Sequence, residues 1–243
     1  GSQSVYGRPT DIGLASGMVD GPGIDGFNNL QYHTPAGILP YDMTAKVAYA
    51  TGQNNGMNSS NAKGSGLENQ YGNAAQQFQI TAAPIDGLKL FADYYEEKGA
   101  YVHVIQQYEA GSVAGTYSTG AFSFGLSRTL TAPLIQAADA ATNTIANATA
   151  AGGNAGSART YTATKGSVAF NVNDALSVSF EREESERMQY VRAAEYDITA
   201  QAVQAAYTMG GMTVALSYGQ TDNVGYADGV DVEQTLLAVT MAF

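Results

Sequence analysis

Strict alternation of apolar residues with small or polar ones is the feature that most constrains the fold of this chain. Residues 212–219 (MTVALSYG), 176–181 (LSVSFE) and 122–127 (FSFGLS) all follow this pattern. Because successive side chains of a β-strand point to opposite faces, each segment has one apolar face and one small or polar face. The pattern therefore predicts an all-β fold.

About eleven segments alternate in this way. They begin near Phe27, Met43, Gln70, Leu88, Gly111, Ala121, Arg159, Ala175, Asp197, Met212 and Val232. The segment 197–209 is ambiguous, because its alternation changes phase near Gln204. A β-bulge in this strand would produce such a change of phase.

The connections between the segments carry a second pattern. Short ones alternate with long, polar ones from Met43 onwards. The short connections are 83–87, 118–120, 171–174 and 210–211, and the long ones are 52–68, 96–110, 131–158, 184–196 and 220–229. Sequential antiparallel strands place alternate connections at opposite ends of a sheet. The sequence thus predicts an antiparallel transmembrane β-barrel, with short periplasmic turns at one end and long extracellular loops at the other.

The polar face of the segments favours a barrel over a soluble sandwich. This face consists mainly of Ser, Thr, Gly, Ala and Gln, and only 14% of all residues are charged, against about 25% in typical soluble domains. We expect lipid on the apolar face, which includes Leu88, Leu90, Val178, Phe180, Val214, Leu216, Val239 and Met241. A β-rich surface or structural protein without a pore, such as an adhesin or coat component, is the alternative reading.

Composition argues against several functional classes. The net charge of −11 makes nucleic acid an improbable partner, and the absence of cysteine removes disulfides and thiolate metal sites. Only His33 and His103 carry imidazoles, and no catalytic or metal-binding spacing is found. We therefore expect no enzymatic activity, no cofactor and no metal site.

The segment 235–243 (TLLAVTMAF) alternates up to its last residue, and its apolar set is Leu237, Val239, Met241 and Phe243. A terminal aromatic residue on an alternating strand resembles the assembly signal of Gram-negative outer-membrane general porins. The segment 26–37 (GFNNLQYHTPAG) also resembles the strand that follows the constriction loop of these proteins. The resemblance covers most of the chain.

The resemblance implies a trimeric channel for passive diffusion of ions and small hydrophilic solutes in the outer membrane, surrounded by lipid and lipopolysaccharide. Porins of this kind have sixteen strands, so residues 1–25 would correspond to the constriction loop and 26–243 to the barrel wall. The chain would then be the C-terminal part of a longer porin. The alternative is a complete smaller barrel, whose twelfth strand would lie in residues 5–16, although Pro and Gly there disfavour a strand.

Charges that would set selectivity fall in two groups. The predicted pore lining includes Lys46, Lys89, Asp93, Lys165 and Glu181, and the inward loop carries Arg8, Asp11, Asp20 and Asp25. Asp20 and Asp25 fit turn positions equally well. Because the predicted extracellular loops are rich in acids, we expect a mild preference for cations.

Overall fold

The computed structural model describes residues 29–53, 73–99, 104–133, 135–136, 158–190 and 196–241. These residues form thirteen strands. They are β1 (Asn29–His33), β2 (Thr44–Gln53), β3 (Asn73–Ile85), β4 (Leu88–Gly99), β5 (Val104–Gln106), β6 (Glu109–Thr119), β7 (Phe122–Ala132), β8 (Ile135–Gln136), β9 (Ala158–Asn171), β10 (Leu176–Gln189), β11 (Ile198–Met209), β12 (Met212–Asp222) and β13 (Val232–Met241).

Eleven of these strands form one antiparallel sheet in the order β1-β2-β3-β4-β6-β7-β9-β10-β11-β12-β13. The predicted all-β fold with eleven alternating strands is confirmed. The two short strands β5 and β8 pair with each other in a separate sheet. The helical elements of the described part are two 3₁₀ turns, Pro40–Asp42 and Val224–Tyr226, and neither has the length or apolar character needed to cross a membrane.

The connections alternate in length as the sequence predicted. Two-residue turns join β3 to β4, β6 to β7 and β11 to β12, whereas 19 residues (54–72) separate β2 from β3. Two of these turns are also hydrogen-bonded to the end of the strand beside them. The amide of Ser118 donates to the carbonyl of Gly87 at 2.9 Å, and the amide of Asn171 donates to that of Ala121 at 2.9 Å. We call this side of the sheet the short-turn end and the opposite side the long-loop end.

The bulge suggested for the segment 197–209 is not found. The pairing of β11 with β10 and with β12 runs without a register shift. Ile198 and Ala202 lie on the same face as Gln204, and all three are buried. The apparent change of phase has a different cause: the residues on this face of β11 are apolar near the long-loop end and polar further along, while the backbone stays regular.

The register assigns every residue of the sheet to one of two faces. The outer face carries Leu216 and its row partners Leu237 and Ala205, while the inner face carries Ser217 and its partners. Leu216 is 51% exposed, whereas the neighbouring Ser217 is completely buried although its side chain is smaller. Such crowding of short side chains is expected on the concave side of a curved sheet. The eight residues predicted to be apolar and outward-facing all lie on the outer face.

The apolar part of the outer face runs obliquely across the rows of paired residues. The row that contains Leu90 of β4 passes through Leu126 of β7, reaches Arg182 on β10 and ends at Glu233 on β13. On β10 three apolar outer residues, Leu176, Val178 and Phe180, lie near the short-turn end, and the charged outer residues Arg182, Glu184 and Glu186 separate them from Met188 near the long-loop end. Strands that are tilted through a flat apolar layer cross it at such staggered positions. We call this staggered set of outer residues the apolar belt, and its members include Leu88, Leu90, Leu126, Leu176, Val178, Phe180, Val214, Leu216, Leu237, Val239 and Met241.

Candidate functional site

The inner face differs from the outer face in chemistry as well as in shape. Its buried members include several polar or charged side chains on β7, β9, β10, β11 and β12, namely Ser127, Lys165, Ser179, Glu181, Glu183, Ser185, Gln204 and Ser217. The four on β10 share a face because they are two positions apart along the strand. The register places the others beside them, since Lys165 is paired with both Ser127 and Glu183, and Gln204 with both Ser179 and Ser217. The sheet therefore separates an apolar surface from a polar one.

An ion pair lies on this polar surface. The Nζ of Lys165 on β9 is 3.5 Å from Oε2 of Glu183 on β10, and the two residues are directly paired in the register. Glu181 lies on the same face, two residues from Glu183, and is paired with Ser167. Both side chains of the ion pair are almost completely buried. Burial of a charge is tolerated only when a partner compensates it, and the pair supplies this compensation.

The five residues predicted to line a pore all lie on the inner face. Lys46 of β2 is exposed and is paired with His33 of β1. Lys89 of β4 is exposed as well, while Asp93 on the same strand accepts a hydrogen bond from the hydroxyl of Ser112 on β6. Lys165 and Glu181 share the inner face but are buried. The structure thus brings Lys165 close to Glu183, and it separates this pair from Lys46 and Lys89 by several strands.

Some predicted sites lie outside the described residues. These are the whole segment 1–25, with Arg8, Asp11, Asp20 and Asp25, and also Phe243. Their roles remain predictions. In the part of the chain that the structure describes, no group of His, Asp and Glu side chains is arranged to hold a metal ion.

Sequence reasoning missed a contact between the β12–β13 loop and the inner face. The hydroxyl of Tyr226, in this loop, is 2.8 Å from Oγ of Ser185 on β10. The same ring lies 4.7 Å from the guanidinium carbon of Arg187 and 5.8 Å from the ring of Tyr161 on β9. Burial raises the pKa of the Tyr226 phenol, so its hydroxyl is neutral at physiological pH. The loop therefore crosses β11 and rests on β9 and β10.

A second contact that sequence reasoning missed is made by Gln106, the last residue of β5. Its side-chain amide donates to the carbonyl oxygens of Pro133, at 2.7 Å, and Arg159, at 3.0 Å. Its Oε1 accepts a hydrogen bond from the hydroxyl of Tyr190 at 2.5 Å. This side chain thus joins its own segment to three others at the long-loop end. Alternation could have revealed Glu183, which follows Glu181 by two residues, but no local pattern indicates the contacts of Gln106 or Tyr226.

Comparison with known proteins supports the fold alone. No protein-family model matches the sequence, and no curated protein matches it either. Among solved structures, the chain is similar to a porin, with a TM-score of 0.55 and 14% sequence identity. The similarity covers 88% of this chain and 61% of the porin chain, so this chain spans less than two thirds of the length of that protein. The fold is therefore that of a porin-like β-barrel wall.

Proposed function

We propose that the chain forms part of the wall of an outer-membrane porin of the Gram-negative general type, through which ions and small hydrophilic solutes diffuse passively. In this proposal the apolar belt contacts lipid, the inner face contacts the aqueous channel, and the long-loop end faces the outside of the cell. The barrel would assemble as a homotrimer, with lipopolysaccharide around its outer rim. The proposal involves no chemical reaction and no cofactor.

The observation that carries the proposal is the oblique course of the apolar belt. A soluble sandwich buries one face of its sheet against a second layer, and nothing requires its apolar residues to follow a layer tilted against the strands. A membrane of constant thickness imposes this requirement on tilted strands. The exposure of Leu216, Leu237 and Leu126 on this belt supports the same interpretation, because large exposed apolar surfaces mark contact with lipid or protein.

Reconstitution of the folded chain tests the proposal. We expect the full-length protein with its complete barrel wall, purified in detergent and added to a planar lipid bilayer, to produce stepwise increases in conductance, while the heat-denatured preparation produces none. Liposomes that contain the protein should swell in small sugars and not in large ones. A chain that stays monodisperse without detergent and conducts no ions would refute the channel and favour a structural protein of the cell surface.

A further inference from the structure

The β12–β13 loop has a defined internal structure that presents Tyr226 to the inner face. The amide of Val224 donates to the carbonyl of Val230 at 2.7 Å and closes the loop at its base. The side chain of Asn223 joins both sides of the loop to the residue that precedes β11: its Oδ1 accepts from the amide of Gly229 at 3.2 Å, and its Nδ2 donates to the carbonyl of Asp197 at 3.0 Å.

The backbone of this loop supports a specific role for the tyrosine. Tyr226 has a φ of 62°, in the left-handed region that bulky residues rarely adopt. A residue in this conformation persists when surrounding contacts stabilise it. The contacts here are the hydrogen bond to Ser185 and the packing against Arg187 and Tyr161. The strained conformation and these contacts are independent observations, and both indicate that the side chain holds the loop in place.

The surface that Tyr226 contacts is part of the inner face. Ser185 and Arg187 follow Glu181 and Glu183 at intervals of two residues on β10, and Tyr161 is paired with Arg187. These three residues therefore share the side of the sheet that carries the Lys165–Glu183 ion pair. Because the loop enters from β12, it covers part of the inner face of β11 before it reaches β10. A loop in this position narrows whatever space the inner face encloses.

We propose that Tyr226 is a latch that holds the β12–β13 loop against the inner wall and thereby sets the width of the channel at its long-loop end. This inference rests on the proposed function, since a latch changes permeation only in a protein that conducts. Tyr226 and Ser185 are then specificity-determining residues that select solutes by size. Arg187 positions the ring through its contact with the aromatic face.

Single substitutions test the effect on permeation. Tyr226→Phe removes the hydroxyl and keeps the ring, and loss of one hydrogen bond should raise the ratio of released to latched loop about fivefold. Tyr226→Ala removes every contact of this side chain with β9 and β10 and should free the tip of the loop from the inner wall, with higher single-channel conductance and faster liposome swelling in the largest permeating sugars. Tyr218→Phe, on the outer face of β12, is the matched control and should leave both properties unchanged.

A crosslink tests the contact itself without relying on conductance. The chain contains no cysteine, so the pair Ser185→Cys and Tyr226→Cys gives a unique site for a short bifunctional thiol reagent. We expect rapid intramolecular crosslinking, and we expect the crosslink to reverse the increase in conductance caused by the two substitutions. The pair Ser177→Cys and Tyr226→Cys, with the first residue at the short-turn end of the same face of β10, should not crosslink.

The outcomes separate the latch from the channel. Failure of the Ser185 pair to crosslink would overturn the latch, as would a crosslink that leaves conductance and the sugar cutoff unchanged. Absence of conductance from the unsubstituted protein and from every variant, together with the expected crosslink, would refute the proposed channel and the width-setting role. The contact between loop and wall would then stand as a structural feature of a protein with another function.

Discussion

Lys165 on β9 and Glu183 on β10 face each other across two paired strands, with Nζ 3.5 Å from Oε2, and both side chains are almost fully buried on the inner face. Each charge is stabilised in this position by the other. The relationship has consequences for stability and for the charge that the inner face presents.

Removal of one partner should destabilise the fold strongly. In Lys165→Met the carboxylate of Glu183 stays buried without its cation, which typically costs about 3–5 kcal/mol. We expect a lower unfolding temperature, measured by circular dichroism of the protein in detergent. Lys46→Met, at an exposed position of the same face, is the control and should change stability little. A double variant, Lys165→Met with Glu183→Gln, should be more stable than Lys165→Met alone, and a double variant that is as unstable would contradict this account.

The short-turn end contains a glycine that tolerates no side chain. Gly87 has a φ of +77°, and a Cβ atom there would overlap the carbonyl oxygen of Ser118 near the end of the neighbouring strand β6. Gly210 has a similar φ of +61° but open space around it. The left-handed conformation costs a non-glycine residue about 1–2 kcal/mol in either turn. We expect Gly87→Ala to cost clearly more than Gly210→Ala in chemical unfolding, and equal costs would show that the end of β6 can move freely.

Most of the wall could be predicted from the sequence because its signal is local. A period of two residues is visible within each strand, and the alternating lengths of the connections show at which end of the sheet each connection lies. The phase near Gln204 was misread because the apolar Ile198 lies on the inner face, and period alone does not show which face a residue occupies. The strands β5 and β8 were missed because two or three residues carry no period.

The contact of Tyr226 could not be predicted for a different reason. It joins a loop to Ser185, which lies 41 residues earlier in the sequence and resembles every other small residue of the inner face. The alternation of residue types on β10 shows which residues lie on the inner face, but it does not show that the β12–β13 loop contacts them. The same holds for the ion pair, since the register that sets Lys165 opposite Glu183 follows from pairing along the whole of β9 and β10.

The two faces should respond differently to a charge. Leu237 lies on the outer face of β13 and is 65% exposed, and an arginine there should cost about 2–4 kcal/mol if the residue lies near the middle of the membrane. Thr240 is the matched site, because it lies on the same strand and is exposed on the inner face. Ala215, an inner residue of the neighbouring strand β12, is unsuitable because it is buried and an arginine there would also disturb packing. Unfolding of Leu237→Arg and Thr240→Arg in lipid vesicles checks this, and similar costs would contradict the assignment of faces.

Ion selectivity should favour cations mildly and should weaken as the salt concentration rises. The chain has a net charge of −11, and Asp228 and Asp231 are exposed in the β12–β13 loop at the long-loop end. Lys46 and Lys89 oppose these acids on the inner face, whereas the charge of Lys165 is compensated by Glu183. Acids at a channel mouth attract cations within a Debye length of about 8 Å at physiological salt.

Asp228 is the better acid to test, because Asp231 also accepts a hydrogen bond from the amide of Asn223. Asp228→Asn should lower the cation-to-anion permeability ratio by less than about twofold, since a single exposed charge acts through water and screening ions. Lys46→Gln should raise the ratio. Reversal potentials across a planar bilayer under a salt gradient measure both changes. A preference for anions in the unsubstituted protein would mean that Lys46 and Lys89 dominate the narrowest section and that the acids of the mouth are too distant to act there.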